Sequence, residues 1–484
     1  MTHIMRCAVA FAILLFAGSP GIAAGRLPNI VLILADDLGV NDLGCYGRKD
    51  HSTPHLDRLA SEGLRFTSAY AAAPVCSPSR AALLTGRHPA RLHLTTFLPG
   101  RPDRLSQRLL HPAIRMELPL EERTLAEILK EAGYVSACIG KWHLGGAGFG
   151  PLQQGFDVAS AGRANTTPSE TEGGKGEYDL TARAEAFITE NRDRHFFLYL
   201  AHNNPHIPLA ARTDLIERNR NAFNPLYAAV VETLDDSVGL LLGRIDSLGL
   251  RRDTLVIFTS DNGGLHVPEL RDDPPTHNTP FRAGKGFLYE GGLRVPMIMR
   301  WPGRVPSGKT EAQPVINADL MPTLLELAGL RVPAGLDSQS IAGRLAGRPS
   351  RHVRTLFWHY PHYSNQGSRP AGAVREGDWK LIENYEDGSL ELYNLAADEG
   401  EKENLAARDP ARCAAMRKKL ADWRASVGAQ ENVPNPDFDA ALHRQLYIET
   451  DVSRLLPAPK AAAMTPGLAS WRKGMDSAPV RPVK

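Results

Sequence analysis

Four short runs of the chain are apolar at nearly every position: NIVLILA (29–35), YVSACIG (134–140), HFFLYLA (195–201) and TLVIFTS (254–260). A strand with one face in water alternates apolar and polar residues, whereas a strand covered on both faces does not. Segments with helical spacing separate these runs. RTLAEILKEAGY (123–134) sets Leu125, Ile128 and Leu129 on one face, spaces Thr124 and Glu127 as a capping box, and stops at Gly133. LYAAVVETLDDSVGLLLGRIDSLG (226–249) is a longer amphipathic helix ending at Gly249. The expected class is therefore α/β, with a mostly parallel central sheet in a three-layer α/β/α domain.

The pattern differs at the ends. MTHIMR ends on a positive charge, CAVAFAILLFAG (7–18) is apolar, and SPGIAAG offers small residues for cleavage after Ala24. This is the anatomy of a secretory signal, too short for the roughly 20 residues that span a membrane. We expect residues 1–24 to be removed and the mature chain to be periplasmic or secreted, without a membrane anchor. The stretch 456–484 is rich in Pro and Ala and is expected to be poorly ordered. At about 100–200 residues per domain, the remainder divides into a catalytic domain over 25–350 and a subdomain over 351–455. Past the signal only Cys45, Cys76, Cys138 and Cys413 remain, too few for a disulfide-held fold. A formal net charge of +2 and the lack of any zinc-finger or RNA-binding motif give no case for nucleic acid.

The residues just after each apolar run bring in chemistry. Asp36 and Asp37 come after the first; Lys141 and His143 after the second; His202, Asn203, Asn204 and His206 after the third; Asp261 and Asn262 after the fourth. In open parallel sheets, ligands bind at the carboxyl ends of the strands, so parallel neighbours would bring all four clusters to one edge. Polar residues after a strand are otherwise ordinary loop, but four clusters with complementary chemistry argue for a site. Asp36, Asp37, Asp261 and Asn262 offer only hard oxygen ligands. Crowded carboxylates repel unless a cation lies between them, and Ca²⁺ suits this set better than Zn²⁺; residue types alone leave Mg²⁺ open. A divalent cation flanked by Arg80, Lys141, His143 and His206 suits an oxyanion ester.

APVCSPSRAALLTGR (73–87) puts Cys76 at the start of a helix, with Ser77 as its expected N-cap and Pro78 at the first helical position. Such an end favours anions. On chemistry alone Cys76 is equally a packing residue or a functional group. The C-S-P-S-R pattern followed by AALLTGR, together with PNIVLILADDLG, GKWHLG, NPHIPL, FTSDNGG and RAGKGFLYEGGLRVP in this order, resembles the type I sulfatases of the alkaline-phosphatase-like superfamily, over nearly the whole mature chain. In that family the cysteine is converted after translation to formylglycine, whose hydrated aldehyde is the nucleophile. The resemblance implies a large α/β domain with a smaller C-terminal domain of antiparallel sheet and helix. AVREGDWKLIENYEDGSLELYNL (373–395) reads as that meander, with Asp387-Gly388 as a hairpin turn. It also implies that Asp36, Asp37, Asp261 and Asn262, with the modified Cys76, hold one Ca²⁺. Arg80 would hold the formylglycine hydroxyls, and Lys141 and Lys285 would bind sulfate. His143 would take a hydroxyl proton, and His206 would protonate the leaving oxygen. The implied partners are a formylglycine-generating maturase and a sulfated small molecule or oligosaccharide. The alternatives are a phosphodiesterase or phosphonate monoester hydrolase of the same superfamily, and a catalytically inactive glycan-binding protein.

Two further stretches bear on the substrate. Between Arg87 and Arg115 the chain carries Arg87, Arg91, Arg101, Arg104, Arg108 and Arg115 against one acid, Asp103. Such an insertion would hold a polyanion, or be merely solvated. WHYPHYSNQGSRPAG (358–372) offers Trp358, His359, His362 and Tyr363 as rings to stack on sugar faces. Both point to a sulfated carbohydrate.

Overall fold

The computed structural model describes residues 27–162, 174–270, 272–348 and 353–482; the expected signal segment lies outside them. The four apolar runs are adjacent strands. The large sheet comprises β1 (Asn29–Asp36), β2 (Leu64–Phe66), β3 (Val135–Gly140), β4 (Val158–Ser160), β5 (Phe196–Pro205), β6 (Thr254–Ser260), β7 (Met297–Arg300) and β8 (Lys309–Glu311). Their order is β8-β2-β7-β6-β1-β5-β3-β4, and only β7 runs antiparallel to its neighbours. The sheet is therefore mixed but mostly parallel, as the unbroken apolar runs require.

Both faces are covered because successive side chains of a strand point to opposite sides. From β1, Ile30, Leu32 and Leu34 join one core with α2 (Cys76–Thr85), α3 (Leu125–Glu131) and the helix Leu320–Leu327. Val31, Ile33 and Ala35 join the other with α1 (Pro54–Glu62), α4 (Glu177–Glu190) and α5 (Pro225–Ser247). The Thr124–Glu127 capping box forms in both directions at the start of α3, and Gly133 and Gly249 take the left-handed conformations that end α3 and α5.

The small C-terminal sheet is a four-stranded antiparallel meander, Thr355–Tyr360, Ala371–Glu376, Trp379–Asn384 and Leu390–Asn394 in that order. The helix Pro410–Ser426 packs Cys413, Met416 and Leu420 on one face against Val374, Leu381 and Leu392. The opposite face of the sheet meets Val75, just before α2, and Ala82 in the second half of that helix. Asp387-Gly388 lies in a five-residue loop, Tyr385–Ser389, while the tight turn is Gly377-Asp378. The tail is not loose. Its described part carries a helix, Thr465–Ser477, that buries Leu468, Trp471 and Met475 against Tyr363, Phe287 and Leu446. Composition misled here because three apolar residues at helical spacing suffice once a partner face is available. The four described cysteines are free thiols.

Candidate active site

Strand order brings the four polar clusters to one edge. β6, β1, β5 and β3 are consecutive parallel neighbours, so their carboxyl ends present Asp261, Asp36, His206 and Lys141 together. Two glycines make the approach possible. A Cβ on Gly140, whose φ is +103°, would lie 1.9 Å from the Ala201 carbonyl oxygen; one on Gly263 would lie 1.9 Å from that of Gly291. Asp37 and His143 hold left-handed backbones, at φ 67° and 57°. For residues with a side chain this is a strained state found where surrounding structure imposes it.

Charge at this edge is dense and ordered. Lys141 Nζ is 2.6 Å from Asp36 Oδ2, and Lys285 Nζ is 2.6 Å from Asp37 Oδ2. Arg80, with no exposed surface, donates from Nε to Asp261 Oδ2 and from Nη1 to the Lys141 carbonyl, both at 2.8 Å, and its Nη2 lies 2.7 Å from the same Asp261 oxygen without a hydrogen bond. The Asp37 N–H donates to Asp261 Oδ1 at 3.1 Å, and Asn262 Nδ2 to Asp37 Oδ1 at 2.8 Å. Ligand atoms of Asp36, Asp37, Cys76 and His206 lie within 4.8 Å of one another. Burial pushes Asp36 up, but Lys141, His206, Arg80 and Lys285 outweigh it and hold its carboxyl well below the usual range. Asp261, buried and beside Asp36, is pushed up to about 6 despite Arg80. Three carboxylates against three permanent cations leave the cluster near neutral. A divalent cation would make it positive, a site for an anion. Asn262 Oδ1 is buried with no hydrogen-bond partner among the described residues, which suits an oxygen-ligated ion.

Cys76 begins the ten-residue helix α2 and is 2% exposed; burial pushes its thiol up to about 12, so the unmodified side chain is neutral. Val75, not Ser77, is the N-cap residue. Ser77 lies inside the first turn, where its Oγ accepts from the Leu98 N–H at 3.1 Å. The Leu98 carbonyl accepts from His143 Nε2 at 2.7 Å, leaving His143 Nδ1 buried and without a partner among the described residues. Burial, with Lys141, lowers His143 to about 3, so the ring is neutral with its lone pair on Nδ1. His206 Nδ1 faces the Ile207 carbonyl oxygen, and Nε2 faces Asp37 Oδ2 at 3.5 Å. Burial, with Lys285, lowers His206 to about 3. Lys141, Lys285 and His206 keep 10–15% of their side chains exposed, the route by which a small anion reaches the buried carboxylates.

The sulfatase family model matches residues 28–330. The chain belongs to the sulfatase family. A second model, N-sulphoglucosamine sulphohydrolase C-terminal, matches residues 282–426 of this sulfatase, across the small sheet and its helix. Human (Homo sapiens) arylsulfatase A is 37% identical over 458 residues, covering 81% of this chain and 86% of that protein. N-acetylgalactosamine-6-sulfatase of Canis lupus familiaris is 37% identical, over 70% of each chain. The solved structure of Ps i-CgsB in complex with k-i-k-neocarrahexaose has a TM-score of 0.70 and 30% identity, over 82% of this chain and 93% of that one. The activity class is that of the named relatives, sulfuric ester hydrolysis.

The ten residues that the resemblance assigned, Asp36, Asp37, Cys76, Arg80, Lys141, His143, His206, Asp261, Asn262 and Lys285, lie at this edge. His202, singled out with them, turns elsewhere. It is fully buried within β5, with Nδ1 against Glu177. Lys175 escaped sequence reading: its Nζ donates to the carbonyls of His206 (2.6 Å) and Ile207 (3.1 Å). Nothing in its setting, EGGKGEY, signals this contact.

The sulfatase also corrects two expectations about substrate contacts. Trp358, His359, His362 and Tyr363 are at most 3% exposed. Trp358 Nε1 donates to the Ala71 carbonyl at 2.8 Å, and His362 Nε2 bonds Thr95 Oγ1 at 2.7 Å. Trp358 lies in the core between the small sheet and α2, Tyr363 packs with the C-terminal helix, and His359 bonds the Tyr385 hydroxyl and the Gln430 carbonyl, so none of these rings presents a face to a sugar. Half of the arginine insertion is engaged within the fold and is not an open basic surface. Arg87 pairs with Glu122 at 3.2 Å, Arg91 forks onto Asp337 at 2.7–3.1 Å, and Arg104 holds the Ala478 carbonyl behind the C-terminal helix.

Proposed function

We propose that the protein is an exported sulfatase that hydrolyses a sulfate ester of a carbohydrate, using formylglycine made from Cys76 and one bound Ca²⁺. The observation that carries this reading is the convergence, at the N-terminus of α2, of Cys76, a fixed guanidinium, two barely exposed ammonium groups and an oxygen-only ligand cluster. The carbohydrate assignment is supported by the N-acetylgalactosamine-6-sulfatase relative and by the neocarrahexaose complex of Ps i-CgsB. Export rests on the character of residues 1–24 and agrees with the absence, among the described residues, of a helix long and apolar enough to cross a membrane.

Asp36, Asp37, Asp261 and Asn262, with residue 76, would hold the calcium ion, which supplies positive charge to the ester oxygens. Formylglycine supplies the hydroxyl that attacks sulfur and a second hydroxyl through which sulfate is released. The remaining work belongs to side chains of this chain. Arg80 is held by two hydrogen bonds and an ion pair, so its guanidinium keeps residue 76 in one orientation without reorganising, with Nη2 still free to donate. Lys141 and Lys285 bind the sulfate oxygens and draw the ester in beside the carboxylates. His143 carries its ring proton on the Leu98 side, so Nδ1 is the atom that accepts a proton during release. His206 keeps one proton against the Ile207 carbonyl; its Nε2, which faces Asp37, takes up a second proton from solvent as the anionic ester binds, and the imidazolium gives that proton to the departing alcohol. Lys175 fixes the loop that aims this ring.

The test joins two measurements on protein matured in its native host. Mass spectrometry of the peptide around residue 76 should find the aldehyde, and turnover of aryl and sugar sulfates should exceed that of aryl phosphate diesters. Fully active protein carrying only the thiol overturns the nucleophile, and preference for the phosphate diester overturns the ester class.

A further inference from the structure

Arg101 differs from the other arginines of its insertion. It is partly buried, yet among the described residues its side chain forms no ion pair or hydrogen bond. Arg87, Arg91 and Arg104 are engaged with Glu122, Asp337 and the Ala478 carbonyl, and Arg108 and Arg115 are exposed. A guanidinium has five donors in a rigid fork; none of the Arg101 nitrogens is among the buried atoms without partners, so they face solvent and are open to a ligand.

The chain places Arg101 beside the active site. Leu98 is tied to both the nucleophile helix, through Ser77 Oγ, and the His143 ring. Next comes a turn closed by Gly100 N–H onto the Phe97 carbonyl at 2.7 Å, with Gly100 at φ +82°. Arg101 thus emerges three residues, at most about 11 Å of chain, from a contact with His143. The buried Tyr360 hydroxyl feels the charges of Arg101, Lys285 and Cys76 together. Glu269 acts on both Lys285 and Arg101.

The surroundings of Arg101 are cationic. Arg104 and Arg472 are close enough for their charges to act on it, and Glu269 is the carboxylate that acts on it in the opposite sense. Both neighbours are committed elsewhere: Arg472 to Asn365, at 2.8 Å to its carbonyl and side-chain oxygens, and to Asp476 at 2.6 Å; Arg104 to the Ala478 carbonyl. Glu269 itself accepts from Gln366 Nε2. Positive charge therefore remains on a fork held at the rim of a sulfate site, where a planar or tetrahedral oxyanion is the matching partner.

We propose that Arg101 binds a second anionic group of the substrate, a carboxylate or a further sulfate on the same sugar or its neighbour, so that the enzyme selects multiply anionic carbohydrate. The proposal rests on the sulfatase reading for its catalytic arm only. The first test compares kcat/KM for a singly sulfated hexosamine, the same sugar with a second sulfate, and a disaccharide in which a uronate adjoins the sulfated sugar. The wild type should prefer one of the two doubly anionic compounds, and which one identifies the source of the second anion. Arg101→Gln should cut the ratio of doubly to singly anionic kcat/KM by about 10–150-fold, the worth of a charge-assisted hydrogen bond, mainly through KM. Arg101→Lys should restore part of it, and the thermal midpoint should stay near wild type. Equal losses on all three compounds, or none, overturn the proposal. The second test measures calorimetric binding of the same compounds to Cys76→Ala protein with and without Arg101→Gln. It needs no turnover, so if the converted enzyme cleaves no sulfate ester, the functional reading fails while Arg101 is still decided. Loss of the doubly anionic preference supports the role; an unchanged preference overturns it.

Discussion

At the carboxyl ends of the central strands, Asp36, Asp37 and Asp261 face Arg80, Lys141 and Lys285. Where the large domain meets the small sheet, Glu290 and Glu401 face Lys380, Arg294 and Arg375. Both clusters are buried and both are ionic, but they are satisfied to different degrees. The Glu290 carboxylate takes hydrogen bonds from Tyr70 (2.7 Å), Arg294 (2.8 Å) and Lys380 (2.9 Å), and Lys380 also reaches Glu401 at 2.8 Å. Glu401 in turn accepts from the Glu290 N–H at 2.6 Å, and Lys380 has no exposed surface. The first cluster leaves Asp36 Oδ1, Asn262 Oδ1 and His143 Nδ1 without hydrogen-bond partners among the described residues, holds Asp37 and His143 at positive φ, and lets two ammonium groups reach solvent. The junction shares part of this, with Glu401 at φ 51° and its Oε1 without a hydrogen bond, but its lysine has no exposed surface. Buried charge and strained backbone by themselves therefore do not mark function; joined to a path to water they do.

Cutting each cluster in turn tests this contrast. Cys76→Ala should lower turnover by at least about 10⁴-fold, as loss of a nucleophile does, with the thermal midpoint unchanged; residual activity above that level would remove residue 76 from the chemistry. His206→Ala should cost about 10²–10⁴-fold on a sugar sulfate and much less on nitrophenyl sulfate, whose phenolate departs without a proton. Equal losses on the two substrates would take His206 out of that step.

Lys380→Met should show the opposite pattern. It leaves Glu401 buried without its cation and Glu290 with the Arg294 ion pair alone, a loss of about 3–5 kcal/mol, read as a fall in thermal midpoint with kcat of the surviving folded enzyme little changed. If Lys380→Met instead lowers kcat with full stability, the junction cluster belongs to the site. Asp37→Ala should lower both metal occupancy and activity by more than about 10²-fold, since loss of a ligand exceeds the 10–100-fold cost of losing a ligand's outer support. Elemental analysis before and after chelation checks it: protein that holds no divalent cation, and works unchanged with chelator, would sever the carboxylates from metal binding.

How much of this was legible depended on whether the signal was local. The doubly covered strands were readable because burial on both faces forbids alternation, and the α3 cap because it needs only Thr124 and Glu127 three residues apart. The site residues were readable because each directly follows a strand or belongs to a compact motif such as CSPSR. The N-cap of α2 was misplaced by two residues, since Ser77 is a good cap by type but its hydroxyl serves Leu98, 21 residues away. The rings at 358–363 looked like sugar platforms because aromatic residues among polar ones read alike in a loop and in a strand that packs inward.

Periodicity and residue type along the chain were enough for the α/β class, for the succession of strands and polar clusters, and for the kinds of side chain that meet at one edge. Each of these is held within a few residues. Folding was needed to show which arginine of the insertion is left with an unused fork, that Lys175 holds the His206 loop, and that the C-terminal tail is a packed helix. Each of these depends on a partner far along the chain: Asp337 for Arg91, Ala478 for Arg104, the carbonyl of His206 for Lys175, Tyr363 for Trp471. Composition and spacing carry no information about such partners, because neutralisation and burial are properties of what is folded against a residue and not of the residue itself.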